Sequence, residues 1–303
     1  MTEQAVALDD LRPLMFSIAY RMLGSVAEAE DVVQDAFLRM HTSAPEDIRS
    51  REAYATTVTT RLAIDTLRSA RRRREHYVGP WLPEPLVETA EDADPAWRVE
   101  MDETVSVAFL VVLETLSPVE RAVFLLREVF DYGYADIAAV VGKNEANCRQ
   151  LLHRARRRLE DDRCRLEPSA VERDRLAEAF FTAVREGDLT GLEATLADDV
   201  ELYGDGGGKA PAARTPVRGP VQVGRFLLGL VRQASRHGFR LQRVRVNGHP
   251  GAEVFSPEGD LLGVLALGVR GGRVVSVHNQ VNPDKLGHLG PVGDLTVLLS
   301  GDG

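Results

Sequence analysis

The sequence predicts a multidomain protein, with two all-helical modules in the first half and an α+β domain after them. Three observations predict this. Apolar residues recur at helical spacing up to about residue 160. A proline cluster, Gly79-Pro80-Trp81-Leu82-Pro83-Glu84-Pro85, interrupts that half, because each proline lacks an amide donor and constrains its predecessor. Beyond Pro168, helices give way to strand-like runs with Gly271-Gly272 closing a hairpin, the texture of a sheet wrapped around helices.

The first helix is expected over residues 8–23, with Leu11, Leu14, Met15, Ile18, Ala19 and Met22 on its inner face and Gly24 at its end. Ser25 with Glu28 has capping-box spacing and opens a second helix to about Met40, burying Val26, Ala29, Val33, Phe37 and Met40. Its other side carries Glu28, Asp31 and Asp35 as a carboxylate stripe. A loop with Pro45 precedes a third helix, residues 51–75, whose inner stripe is Tyr54, Val58 and Leu62 and whose exit is Arg71 to Arg74. Ser117-Pro118 starts another helix. After Pro168 come helices over 170–186 and 189–196, a strand near 200–203, a glycine-rich loop at 204–208 and a helix over 221–233. Strands follow at 239–246, 252–255, 261–269 and 273–281, then a tail with Asn282-Pro283-Asp284-Lys285-Leu286.

Residues 134–159, YADIAAVVGKNEANCRQLLHRARRRL, have the outline of a helix-turn-helix, which places its second helix in the DNA major groove. Gly142 is the turn residue and Ala138, four positions earlier, is small enough for the crossing of the two helices. Cys148, Leu151, Leu152 and Ala155 repeat as one buried face. The opposite face offers Ala146, Gln150, His153 and Arg157, flanked by Asn147 and Arg154, and amides and guanidiniums pair with adenine and guanine edges. A helical hairpin with a solvated basic face would carry the same arginines.

The net charge of −9 excludes a protein that grips DNA by bulk electrostatics. Basic charge is concentrated at Arg68 to Arg74 and Arg149 to Arg158, with an acidic connector between them. That distribution suits DNA contacts completed by a partner. No run of ~18 apolar residues suggests a membrane span. The start of the chain does not resemble a secretory signal, and the 2 cysteines have no ligand-like spacing, so a cytoplasmic protein without metal or cofactor is expected.

The stretches AEDVVQDAFLRM at 29–40 and RLAIDTLRSARRRR at 61–74 resemble region two of an extracytoplasmic-function (ECF) sigma factor, and residues 116–159 resemble its region four. WLPEPL at 81–86, DGGGK at 205–209 and NPDKL at 282–286 resemble the SigJ-type subgroup, which carries a C-terminal SnoaL-like domain. The resemblance implies a region-two domain at 1–78, a Pro-rich acidic linker at 79–103 and a region-four helix-turn-helix domain at 104–166. It also implies an NTF2-like, SnoaL-like α+β cone at 168–290 and a tail at 291–303.

The resemblance further implies promoter-specific initiation as a subunit of bacterial RNA polymerase. Glu28, Asp31, Gln34 and Asp35 would dock on the clamp helices of the polymerase largest subunit. Arg61, Arg68, Arg71 and Arg72 would approach the minus-ten element, with the loop at 43–50 capturing an unstacked base. Ala146, Asn147, Gln150, His153, Arg154 and Arg157 would read the minus-thirty-five element. Trp81, Leu82 and Pro83, with Asp205, Gly206, Gly207, Gly208 and Lys209 and with Asn282, Pro283, Asp284, Lys285 and Leu286, would make a regulatory contact in cis between the cone and the sigma domains. Tyr203, Asp205 and His278 are the candidates for a pocket in the cone, where a small-molecule ligand of unknown identity could sit. Catalysis is not expected there. The alternative is a helix-turn-helix regulator with a ligand-sensing or enzymatic cone.

Overall fold

The computed structural model describes residues 10–43, 50–88, 105–160 and 170–300. They fall into two compact units, the first drawn from residues 10–43, 50–76, 105 and 110–160, the second from 77–88, 106–109 and 170–300. The expected base-capture loop, apart from its ends, and most of the acidic connector lie outside the described residues.

In the first unit, helix α1 (Arg12–Leu23) has Pro13 in its first turn and stops at Gly24, whose φ of 66° lets its N–H reach the Tyr20 carbonyl. Helix α2 (Val26–Ser43) starts where the Ser25 hydroxyl accepts from the Glu28 amide at 3.2 Å. Helix α3 (Arg51–Arg74) is capped by Ser50 in the same way. Met15, Ile18, Met22, Val33 and Leu67 are buried. Helix α4 (Val107–Leu113) belongs to this unit from residue 110 on, and helix α5 (Pro118–Glu128) opens with a complete capping box between Ser117 and Glu120. Helix α6 (Tyr134–Val141) ends at Gly142 in the left-handed region, which a side chain would resist, and α7 (Glu145–Glu160) follows.

A buried charge cluster joins these helices. Arg121, 1% exposed, donates to the Met22 carbonyl at 2.8 Å, the Leu113 carbonyl at 3.0 Å and the Glu114 carboxylate at 2.6 Å. Arg74 reaches the same carboxylate at 2.6 Å and the Leu23 carbonyl at 2.8 Å. Burial opposes ionisation of Glu114, but the two guanidiniums outweigh it and hold its carboxyl below the usual range.

The second unit contains α8 (Ala170–Glu186), α9 (Leu189–Thr195), α10 (Pro220–Arg236) and α11 (Leu295–Ser300). Its strands are β1 (Val87–Glu88), β2 (Leu196–Asp205), β3 (Val217–Arg218), β4 (Arg240–Val246), β5 (His249–Phe255), β6 (Leu261–Arg270) and β7 (Arg273–Gln280). Their order in the sheet is β1-β4-β5-β6-β7-β2-β3. The β2–β7 pair is parallel and the other pairs are antiparallel. Phe180, Phe181, Leu192 and Leu227 from the helices pack on Leu202, Leu265, Leu267 and Val277 from the strands. Burying that face is what holds the helices to the sheet.

Three elements depart from expectation. Residues 87–88, placed in the linker, add an edge strand to β4, secured by reciprocal bonds between Leu86 and Asn247. Strand β2 begins at Leu196, which pairs with Val274 of β7, and an irregularity that takes in Asp198 and Asp199 follows before regular pairing resumes at Glu201. The tail forms two 3₁₀ turns, Pro283–Lys285 and Gly287–Leu289, and then α11.

Candidate nucleic-acid interface

Helix α7 is phased as its sequence requires. Cys148, Leu151, Leu152, Ala155 and Leu159 are buried. Ala146, Asn147, Gln150, His153, Arg154 and Arg157 are all exposed. The Asn144 side chain accepts from the Asn147 amide at 2.8 Å and so starts the helix. Arg156 and Arg158 are engaged by Glu128 at 2.5 Å and Glu120 at 2.8 Å, and Arg154 lies 3.8 Å from Glu120. The side chains of Gln150, His153 and Arg157 hold no hydrogen bond or ion pair with the other described residues.

The arginines of α3 divide into two pairs. Arg68 and Arg72 are exposed, and among the described residues the Arg68 side chain bonds to Asp65 one turn earlier. Arg61 donates to the carbonyls of Ala139 and Val140 at the C-terminal end of α6. Arg71 donates to the carbonyls of Glu114 and Leu116, and its burial lowers its pKa. In this arrangement Arg61 and Arg71 serve protein acceptors, a use that helical phasing of α3 alone could not reveal.

On α2, Asp31, Gln34 and Asp35 are exposed. Leu38, one turn beyond, is 62% exposed, a large apolar side chain beside carboxylates. Glu28 is half-buried and forms an ion pair with Arg73 at 2.5 Å.

Within the second unit, three separate sequence motifs converge on one carboxylate. Asp205, with no exposed surface, accepts from the Leu82 amide at 2.8 Å, the Tyr77 hydroxyl at 2.5 Å and the Lys285 ammonium at 2.7 Å. Gln280 adds a contact at 3.3 Å. The Lys285 ammonium also sits over the rings of Trp81 at 4.1 Å and Tyr77 at 4.8 Å, so charge and ring faces share it. Asn282 donates to the Tyr77 hydroxyl at 2.8 Å, and Lys209 pairs with Asp284 at 2.6 Å. Burial and the Asp205 carboxylate raise the Tyr77 pKa, which keeps the phenol a donor. Gly207 is required beside this cluster, since a side chain there would strike Asn282 and the Tyr77 hydroxyl. Tyr77 and Gln280 carry no motif of their own and were not found from the sequence.

The pocket residues require a correction. A cavity of about 740 Å³ opens on the helix-covered face of the sheet, and Tyr203, Asp205 and His278 do not line it. Their strand neighbours Gly204 and Asn279 do. Side chains alternate along a strand, and Tyr203 pairs with His278 and Asp205 with Gln280 across β2 and β7, so all three point to the other face. Tyr203 and His278 stack there at 5.5 Å, and burial lowers the His278 pKa to about 4.

Two sigma-factor family models match the first part of the chain. The family model for Sigma-70 region 2 matches residues 8–73, and that for Sigma-70 region 4 matches residues 106–159. The ECF RNA polymerase sigma factor SigJ of Mycobacterium tuberculosis is 38% identical over 91% of this chain and 90% of its own length. This chain belongs to the ECF RNA polymerase sigma factors. Probable ECF sigma factor SigI of the same organism is 34% identical over 91% of this chain and 92% of its own length. The crystal structure of the M. tuberculosis sigma factor SigJ superposes with a TM-score of 0.76 at 34% identity, covering 93% of this chain and 98% of that one. As a sigma factor the protein works with RNA polymerase core and promoter DNA in transcription initiation, a role that is not enzymatic. Among the described residues, no helix is long and apolar enough to cross a membrane.

Proposed function

We propose that this sigma factor reads the minus-thirty-five element with the exposed face of α7 and the minus-ten element with α3, and that its C-terminal unit modulates both in cis. The observation that carries the reading is the face of α7, where amide, imidazole and guanidinium groups stand opposite a buried apolar stripe. Gln150, His153 and Arg154 are the base readers, assisted by Ala146 and Asn147, and Arg157 holds phosphate. Arg68 and Arg72 meet the minus-ten DNA directly. Arg61 and Arg71 join them only after releasing the carbonyls they now hold.

Asp31, Gln34 and Asp35 dock on the clamp helices of the polymerase largest subunit, with Leu38 supplying apolar contact beside the carboxylates. Glu28 contributes through Arg73, which it positions. Regulation in cis rests on the chain segment between regions two and four. Residues 77–88 are held in the C-terminal unit by Asp205, Gln280, Lys285 and Asn247. A unit that grips the connector limits how far the two DNA-reading regions can separate. Asp205 is unsuited to be a general base, because its lone pairs already accept from four groups.

The test is in vitro transcription with core polymerase on a promoter library. Replacing Gln150 and His153 should change the preferred upstream sequence, and replacing Arg157 should weaken all promoters alike. Asp31→Lys with Asp35→Lys should abolish core binding. An unchanged sequence preference together with unchanged core binding would remove the assignment.

A further inference from the structure

Residues 206–252 carry nine lysines and arginines and no aspartate or glutamate, in a chain whose net charge is −9. Four of these cations are answered within the second unit: Lys209 pairs with Asp284, Arg218 with Glu201, Arg243 with Glu178 and Arg245 with Asp174. Three of the others stand together on α10. Arg225, Arg232 and Arg236 are exposed and form no ion pair with a described residue. At 3.6 residues per turn, their spacing keeps all three within about 20° of one line along the helix, a ridge roughly 16 Å long. Gly229, between them, adds no side chain to the ridge. Val223 and Leu227, on the opposite side of α10, are buried in the core of the unit.

Local structure accounts for only part of this ridge. A helix C-terminus favours cations, which explains Arg236 in the last turn. Arg225 lies about three turns earlier, towards the positive end of the dipole, where a guanidinium gains nothing from it. Glu193, the acid of α9, stands beside Gly224 on the flank and forms no ion pair with the ridge. No large apolar side chain of α10 is exposed, so the ridge lacks the apolar centre of a protein interface. Its exposed flank carries Gln222 and Gln233. Guanidiniums and amides donate to phosphate oxygens, and duplex DNA offers one charge per ~1.7 Å of its axis, so a rigid row of this length spans several phosphates.

We propose that Arg225, Arg232 and Arg236 hold the phosphate backbone of promoter DNA, so that the C-terminal unit touches DNA itself, without regard to base sequence. The contact adds to those of α3 and α7 and requires none of their base assignments. Loss of the ridge changes the dependence of binding on salt, whereas loss of a base reader changes the preferred sequence, so the two fail separately.

The experiment uses holoenzyme, reconstituted from core polymerase and the full chain, binding promoter fragments across a salt series. Log affinity falls with log salt by about 0.9 for each phosphate neutralised. Arg225→Gln with Arg232→Gln and Arg236→Gln should therefore reduce the slope by roughly 2–3, and by the same amount on promoters of different sequence. Lysine at the same three positions keeps the charge and should keep the slope. Arg175→Gln with Arg214→Gln, exposed arginines of the same unit away from the ridge, should leave it unchanged. If the triple variant does not fold, Arg225→Gln alone should still reduce the slope by about 1. An unchanged slope in the ridge variants, an equal reduction in the control pair, or a loss on single-stranded RNA without one on promoter DNA would overturn the proposal.

Discussion

The Arg61 guanidinium caps the first helix of the helix-turn-helix: its Nε lies 2.9 Å from the Val140 carbonyl oxygen and its Nη2 2.8 Å from that of Ala139. The last carbonyls of a helix lack intrahelical partners and carry the negative end of its dipole, so a guanidinium there is favoured on both counts. A side chain proposed to approach the minus-ten element thus holds the helix pair proposed to read the minus-thirty-five element.

Arg61→Gln should loosen that hold. Hydrogen exchange across residues 134–160 is expected to become faster by about 1 kcal/mol of opening free energy, a modest figure because the side chain is exposed. Tyr132→Phe, which removes the 2.8 Å bond to Thr56, should act in the same direction. Protection identical to wild type in both variants would show that Arg61 does not restrain the helix pair.

Glu114→Gln should be costly, because it strands the fully buried Arg121. A loss of roughly 3 kcal/mol in chemical denaturation is expected. The wild-type carboxyl has a lowered folded-state pKa, so its contribution is present above the ordinary carboxylate value and disappears as pH falls through the lowered one. The variant should lack that part of the acid dependence.

Asp205→Asn leaves the buried Lys285 ammonium without its counter-charge, and about 3 kcal/mol should be lost. Adding Lys285→Met should recover more than half of it, since removing both charges also removes their desolvation cost. Strictly additive losses in the double variant would mean that the pair is not coupled. Transcription assays on the same variants should show altered output with core binding retained.

His278 gives the C-terminal unit an acid sensitivity. Its folded-state pKa, lowered to about 4 by burial, lies below the unfolded value near 6.5. The unfolded chain therefore takes up the proton first, and stability falls as pH drops from about 6.5 towards 4, levelling below that. The expected loss is roughly 3 kcal/mol. His278→Gln should flatten this window, and a pH profile unchanged by the substitution would refute the assignment.

Much of the first unit was legible because helical periodicity is local. The phase of α7 follows from the spacing of Cys148, Leu151, Leu152 and Ala155, and the cap of α2 from Ser25 with Glu28. The grouping of Trp81, Asp205 and Lys285 came from three motifs, and the structure brings these residues together around one buried carboxylate. What stayed hidden was set by long-range contact. Tyr77 and Gln280 look ordinary until the fold delivers them to Asp205, and α11 looked like a tail. The pocket assignment failed by one residue on each strand, because which face of β2 and β7 meets the helices depends on the whole sheet.

The amino-acid sequence by itself determined the two arginine-bearing helical regions, the α+β domain after them and which face of α7 is buried and which exposed, since each follows from short-range spacing. Only the tertiary structure decided that Arg61 and Arg71 bind protein carbonyls and that Asn279, not His278, faces the cavity. The reason is physical: periodicity says which side of an element is buried, but the partner of a buried or bonded group is chosen by elements far away in the chain.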